Sequence, residues 1–205
     1  MRSILTCVLG AVLLITGRVE AQQPRGYVMG LGGVTFGTET AGVFGGEVGG
    51  WVGRNWVVFG EVGRMLNVAP KEVQDELDAA EETLEALTGF DWSFTSKIAA
   101  TYFGAGVKYV FAPQGVTNFY VAGSAGFGKW KGEIREQNLG DIIDDLVNLG
   151  FVDEDDVQGT EFYYLAGGGL MGSLGRRAIY DVGYRFMRIN DINISRVMAG
   201  AGVTF

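Results

Sequence analysis

The sequence predicts an all-β fold: a closed, eight-stranded, antiparallel up-and-down barrel that spans a membrane, with two short helices in its long loops. Three observations predict it. Eight segments alternate along the chain with a period of two and one apolar face. The links at one end are all short, whereas the other end carries two long loops beside two shorter links, residues 37–41 and 188–193. Charged residues within the segments fall opposite the larger apolar face, which reverses the polarity of a soluble barrel.

Residues 1–21 read as a secretory signal peptide. Arg2 supplies a positive start, Ile4 to Ile15 an apolar stretch too short for a stable span, and Val19, Glu20 and Ala21 modest residues at the expected cleavage point. Cys7, the single cysteine, lies inside that stretch. The apolar segment follows Cys7 instead of preceding it, so a lipoprotein reading fails. Cleavage would leave one barrel domain over residues 22–205, without a disulfide or a thiolate metal site. Mean hydropathy is +0.17 at a pI near 4.6. Glycine makes up 34 of 205 residues, against a usual ~7%. The glycines have no G-x-y period and sit inside alternating segments, as a tightly curved sheet requires.

The predicted strands are Gly26–Phe36, Gly42–Val52, Asn55–Leu66, Ile98–Phe111, Asn118–Lys129, Thr160–Leu174, Arg177–Met187 and Ile194–Phe205. Most match the ~9–11 residues of a tilted transmembrane strand. Pro24, Pro70 and Pro113, the only prolines, fall outside them. In the fourth, Phe103, Ala105, Val107, Tyr109 and Phe111 oppose Lys108. In the seventh, Tyr180, Val182, Tyr184 and Phe186 oppose Asp181, Gly183 and Arg185. In the sixth, Phe162, Tyr164, Ala166 and Leu170 oppose Glu161, Tyr163 and Ser173. In the second and third, Glu47 and Glu61 oppose Phe44, Val48, Trp56, Val58 and Val62. Phe36, Trp51, Trp56, Tyr109, Phe111, Phe119, Phe162 and Phe205 stand near strand ends, where they would form interfacial girdles.

The even-numbered strands are followed by short links, Gly53 with Arg54, residues 112–117, and Gly175 with Arg176. The third and fifth are followed by long loops, about 67–97 and 130–159. With both termini in the periplasm, the short turns are periplasmic and the long loops extracellular. In the last strand Phe205, Val203, Ala201, Ala199 and Val197 share one face. This ending resembles the C-terminal signature of bacterial outer-membrane barrels. The chain from residue 22 is similar to the small eight-stranded outer-membrane barrels of the OmpA-transmembrane-domain and OmpX type. The resemblance implies a bacterial outer-membrane location among outer-membrane lipids and lipopolysaccharide. It also implies recognition of Phe205, Val203 and Ala201 by the barrel-assembly machinery.

Eight strands enclose just enough room for side chains. The inward charges Glu47, Glu61, Lys108, Asp181, Arg185 and Arg196 are three acids and three bases, a neutral set that implies pairing. Residues 67–97 carry eight acids and two bases, and residues 130–161 ten acids and two bases. Residues 67–97 and 130–161 together reach −14, against −8 for the whole chain. Val73, Leu77, Ala80, Leu84 and Leu87 have helical spacing in the first, and a second helix is expected to begin near Asp141. The run Asp153 to Asp156 lacks the spaced ligands and central glycine of an EF-hand and reads as a solvated acidic loop.

Gly167, Gly169 and Gly172 match G-x-G-x-x-G, but within a strand and with no helix to follow. Asn193 to Ser195 matches a glycosylation pattern of low specificity. The chain contains no histidine, which removes Ser-His-Asp catalysis and imidazole metal sites. No catalytic residues, metal site or cofactor are therefore expected. The reading is a monomeric, non-enzymatic barrel with a side-chain-filled lumen, acting in envelope integrity or surface interaction, without nucleic acid. Its alternatives are a narrow ion or small-solute channel and a soluble periplasmic, lipocalin-like ligand carrier.

Overall fold

The alternating segments form one closed sheet in the computed structural model, which describes residues 26–36, 40–69, 71–89, 93–113, 116–136, 140–141, 158–175, 177–189 and 192–205. The strands are β1 (Gly26–Phe36), β2 (Ala41–Trp51), β3 (Trp56–Met65), β4 (Phe94–Val110), β5 (Thr117–Glu136), β6 (Gly140–Asp141), β7 (Gln158–Leu174), β8 (Ala178–Ile189) and β9 (Ile192–Thr204). All pairings are antiparallel. Eight strands close the barrel in the order β4-β3-β2-β1-β9-β8-β7-β5, with β5 returning to β4 and the two-residue β6 attached to β5. The β1–β9 seam is completed by reciprocal bonds, Gly26 N–H to Phe205 O at 3.1 Å and Phe205 N–H to Gly26 O at 2.9 Å. The predicted signal peptide lies outside the described residues.

The walls have inverted polarity. Val62 is 55% exposed, Phe103 58%, and Phe119 and Phe205 70% on the outside, whereas Lys108, Asp181 and Arg196 are fully buried inside. A lipocalin-like soluble carrier needs the opposite arrangement, so the fold does not favour that alternative. No described helix is long and apolar enough to cross a membrane, which does not bear on a closed barrel, an architecture that spans with strands.

Inward glycines make room for inward tyrosines. Gly49 pairs with Tyr27 and Gly63 with Tyr102 across neighbouring strands. A Cβ on Gly49 would stand 2.5 Å from the Tyr27 Cζ, and one on Gly63 2.5 Å from the Tyr102 Cζ. Each ring therefore lies flat over its neighbour's backbone, covering a glycine that would otherwise weaken the strand.

On the side of the long links the β4–β5 hairpin outgrows its neighbours. Its pairing runs to Phe94 and Glu136, whereas β3 stops at Met65 opposite Ala100. The β4 edge left beyond β3 is covered largely by amide side chains. Asn67 accepts from Ile98 N–H at 2.9 Å, and Val68 N–H donates to Ile98 O at 2.8 Å. Gln74 donates to Phe94 O and accepts from Ser96 N–H, both at 3.1 Å. Glu81 accepts from Phe94 N–H. Gln74 and Glu81 lie on helix α1 (Lys71–Thr88), which ends at left-handed Gly89, φ 68°.

Two sequence expectations change here. The half-buried face of α1 carries Gln74, Leu77 and Glu81, and Ala80 is exposed, so the helix docks through polar groups on a strand edge. The side chains of Val73, Leu84 and Leu87 and the helix expected near Asp141 fall outside the described residues. Trp51 is not a girdle residue: it shares the parity of Glu47 and Gly49 and packs against the interior cluster.

Gly63→Ala should destabilise the folded barrel by about 1–3 kcal/mol through overpacking against Tyr102. Gly30→Ala, where a Cβ meets nothing within 4 Å, should be near neutral. Urea unfolding midpoints in lipid vesicles measure both.

Candidate functional site

The six inward charges lie in one buried network. Glu47 and Glu61 are directly opposite on β2 and β3, and Arg185 and Arg196 are directly opposite on β8 and β9. Each is a like-charge cross-strand pair, unfavourable on its own wall. Closure brings them face to face. Arg185 Nη2 reaches Glu47 Oε2 at 3.2 Å, and its Nη1 reaches Glu61 Oε2 at 3.4 Å. Arg185 Nη2 also lies 3.6 Å from Asp181 Oδ1, and Arg196 Nη2 lies 3.7 Å from Glu61 Oε2.

Lys108 occupies one end of this network. Its Nζ lies 2.5 Å from Glu47 Oε1 and 3.4 Å from Asp181 Oδ2. Three rings surround the ammonium, with centroids at 5.7 Å (Tyr27), 5.1 Å (Phe59) and 4.9 Å (Tyr120). At the other end the Arg196 guanidinium lies 4.6 Å from the Tyr102 ring centroid. Its N–H groups have no hydrogen-bond acceptor among the described residues, so charge and the ring face hold it.

Neutral donors complete the carboxylates. Tyr27 Oη donates to Glu47 at 2.5 Å, Tyr120 Oη to Asp181 at 3.0 Å, Ser124 Oγ to Glu61 at 2.5 Å and Tyr163 Oη to Glu61 at 3.2 Å. Sequence reasoning missed Tyr27, Tyr102, Tyr120 and Ser124 as network members. Their shared inward parity, with glycine opposite Tyr27 and Tyr102, is the signal that would have found them.

Apolar side chains close the lumen on both sides of the charges. Val57, Val110 and Ile179 fill the short-turn end, and Met65, Met187, Ile189 and Ile194 the other. Among the described residues no group of three or more His, Cys, Asp or Glu side chains is placed to hold a metal. Phe205, Val203 and Ala201 are exposed along the outward face of the last strand and its end.

A closed eight-stranded barrel, charged within and apolar without, meets its match among solved structures. Its fold is that of the small eight-stranded outer-membrane β-barrels. Neisserial surface protein A is 12% identical, with a TM-score of 0.55 over 88% of this chain and 96% of its own. Ail, the attachment invasion locus protein of Yersinia pestis, is 12% identical, with a TM-score of 0.53 over 90% of this chain and all of its own. A major outer membrane protein from Thermus thermophilus is 9% identical, with a TM-score of 0.56 over 90% of this chain and all of its own. No protein-family model matches the chain, and no curated protein matches it in sequence.

Lys108→Met should cost about 3–5 kcal/mol, because it leaves Glu47 and Asp181 buried with less positive charge. Adding Asp181→Asn should recover part of that loss. Equilibrium urea unfolding in vesicles, followed by tryptophan fluorescence, reads both.

Proposed function

We propose that the chain is a non-enzymatic protein of the bacterial outer membrane, whose filled barrel anchors an acidic, helix-bearing surface for contacts outside the cell. The observation that carries this reading is the lumen. Its charges pair with one another across the barrel and are sealed between apolar layers, so the strands serve as an anchor. The side presented outward is the raised β4–β5 hairpin with α1 fastened to its edge. The absence of histidine from the sequence supports a non-enzymatic role.

The loop charge bears on the partner. Ail has been crystallised with the heparin analogue sucrose octasulfate. The segments 67–97 and 130–161 together carry −14, which repels polyanions, nucleic acid included, and favours a basic or cation-bridged partner surface. In this reading outer-membrane lipids and lipopolysaccharide surround a monomer. The outward residues Ala201, Val203 and Phe205 present the last strand to the barrel-assembly machinery.

Planar-bilayer recording of protein refolded in lipid tests the anchoring role. The expected result is no unitary current at any holding potential. Discrete, reproducible openings from the folded, heat-modifiable species would replace the anchor with a narrow channel.

A further inference from the structure

We propose that the outward face of β3, β4, β5 and β7 binds the phosphorylated head group of a glycolipid in the outer leaflet, an inference that rests on the outer-membrane reading above. The register places Arg64, Thr101, Lys129 and Thr160 side by side in a single row across these four strands. All four are exposed. Neither Arg64 nor Lys129 forms an ion pair with a carboxylate among the described residues. Two cations flanking a threonine hydroxyl, with a second hydroxyl beside them, form a set of donors with no acidic neighbour in the row. That chemistry suits phosphate.

The next outward row identifies the lipid. Val62, Phe103, Phe127 and Phe162 are paired across the same four strands, directly below the cations. Ring centroids of Phe103 and Phe127 are 6.0 Å apart, and those of Phe127 and Phe162 5.9 Å, so the aromatic row is continuous. A free phosphate has no use for such a surface, whereas the upper acyl segments of a phosphorylated lipid would lie along it.

The depth fits as well. Ten residues separate Phe111, at the short-turn end, from Thr101. At ~3.4 Å per residue and a tilt of about 40° they span roughly 26 Å along the barrel axis. The apolar band of an outer-membrane barrel is about 25 Å tall. The cationic row therefore stands where the hydrocarbon ends and head groups begin.

The test uses the full barrel in phosphatidylcholine vesicles containing a small fraction of fluorescent diphosphoryl lipid A, read by energy transfer from the protein's tryptophans. Heat-modifiable gel mobility verifies folding of every sample. The expected result is enrichment of lipid A around the protein that falls about tenfold or more in Arg64→Gln/Lys129→Gln, since each basic side chain at an anionic surface contributes about a factor of five. Arg64→Lys/Lys129→Arg should keep most of the enrichment, and dephosphorylated lipid A should show little. Equal enrichment by the folded Gln double variant overturns the site. Displacement of lipid A by inorganic phosphate at matching concentration overturns the lipid assignment in favour of a free-anion site. Failure of the unaltered chain to give a folded, vesicle-bound species overturns the membrane reading itself and is distinguished by the gel alone.

Discussion

Arg185 is the interaction on which the rest of the structure depends. One guanidinium engages Glu47 on β2 and Glu61 on β3, from β8 on the far wall. Without it, the opposed carboxylates would keep only Lys108 on Glu47 and the more distant Arg196 on Glu61, leaving buried negative charge under-compensated in low dielectric. Arg196 beside Arg185 is the mirror problem with the opposite sign. Each wall is unfavourable alone, and the two become complementary once the sheet closes. The charge pattern thus favours closure, and with it the register, because a slip of one of these strands by one residue would turn that strand's charges outward.

That constraint accounts for the inward part of the glycine content. Side chains as large as tyrosine must share the lumen with six charged groups, so glycine is needed wherever a ring crosses a neighbouring strand, as at Gly49 and Gly63. The outer wall is free of this demand and is apolar between an aromatic cluster at the short-turn end, Trp56, Tyr109 and Phe111, and the row of Phe103, Phe127 and Phe162. In hydrocarbon every backbone polar group needs an internal partner, which the closed ladder supplies. Where β4 rises beyond β3 the ladder runs out, and Asn67, Gln74 and Glu81 take its place. A helix fastened to a strand edge also shields that edge from pairing with another chain.

Much of this is legible in the sequence because period two is an unambiguous signal over ten residues. The strand β1 has the predicted bounds, and the barrel portions of the others differ by a few residues. The larger differences arise where alternation has no apolar face to reveal it. The upper parts of β4 and β5 rise beyond the end of β3 and the outward apolar rows, so Phe94 to Lys97 and Trp130 to Glu136 read as loop. Residue type assigns Trp51 to the girdle, although its parity with Glu47 places it inside. The charges of the lumen can be placed by parity, whereas their partners cannot: which tyrosine meets which carboxylate depends on the stagger between distant strands. An apolar stripe misplaces the docking face of α1, because Gln74 satisfies a strand edge that sequence periodicity does not disclose.

The most direct test of the central claim, that buried charges hold opposite walls of the barrel together, is a double-mutant cycle between Glu47→Gln and Arg185→Met. Unfolding free energies in lipid vesicles should give a coupling of at least about 1.5 kcal/mol. Additivity within about 0.5 kcal/mol would contradict the claim and leave closure to the backbone ladder alone.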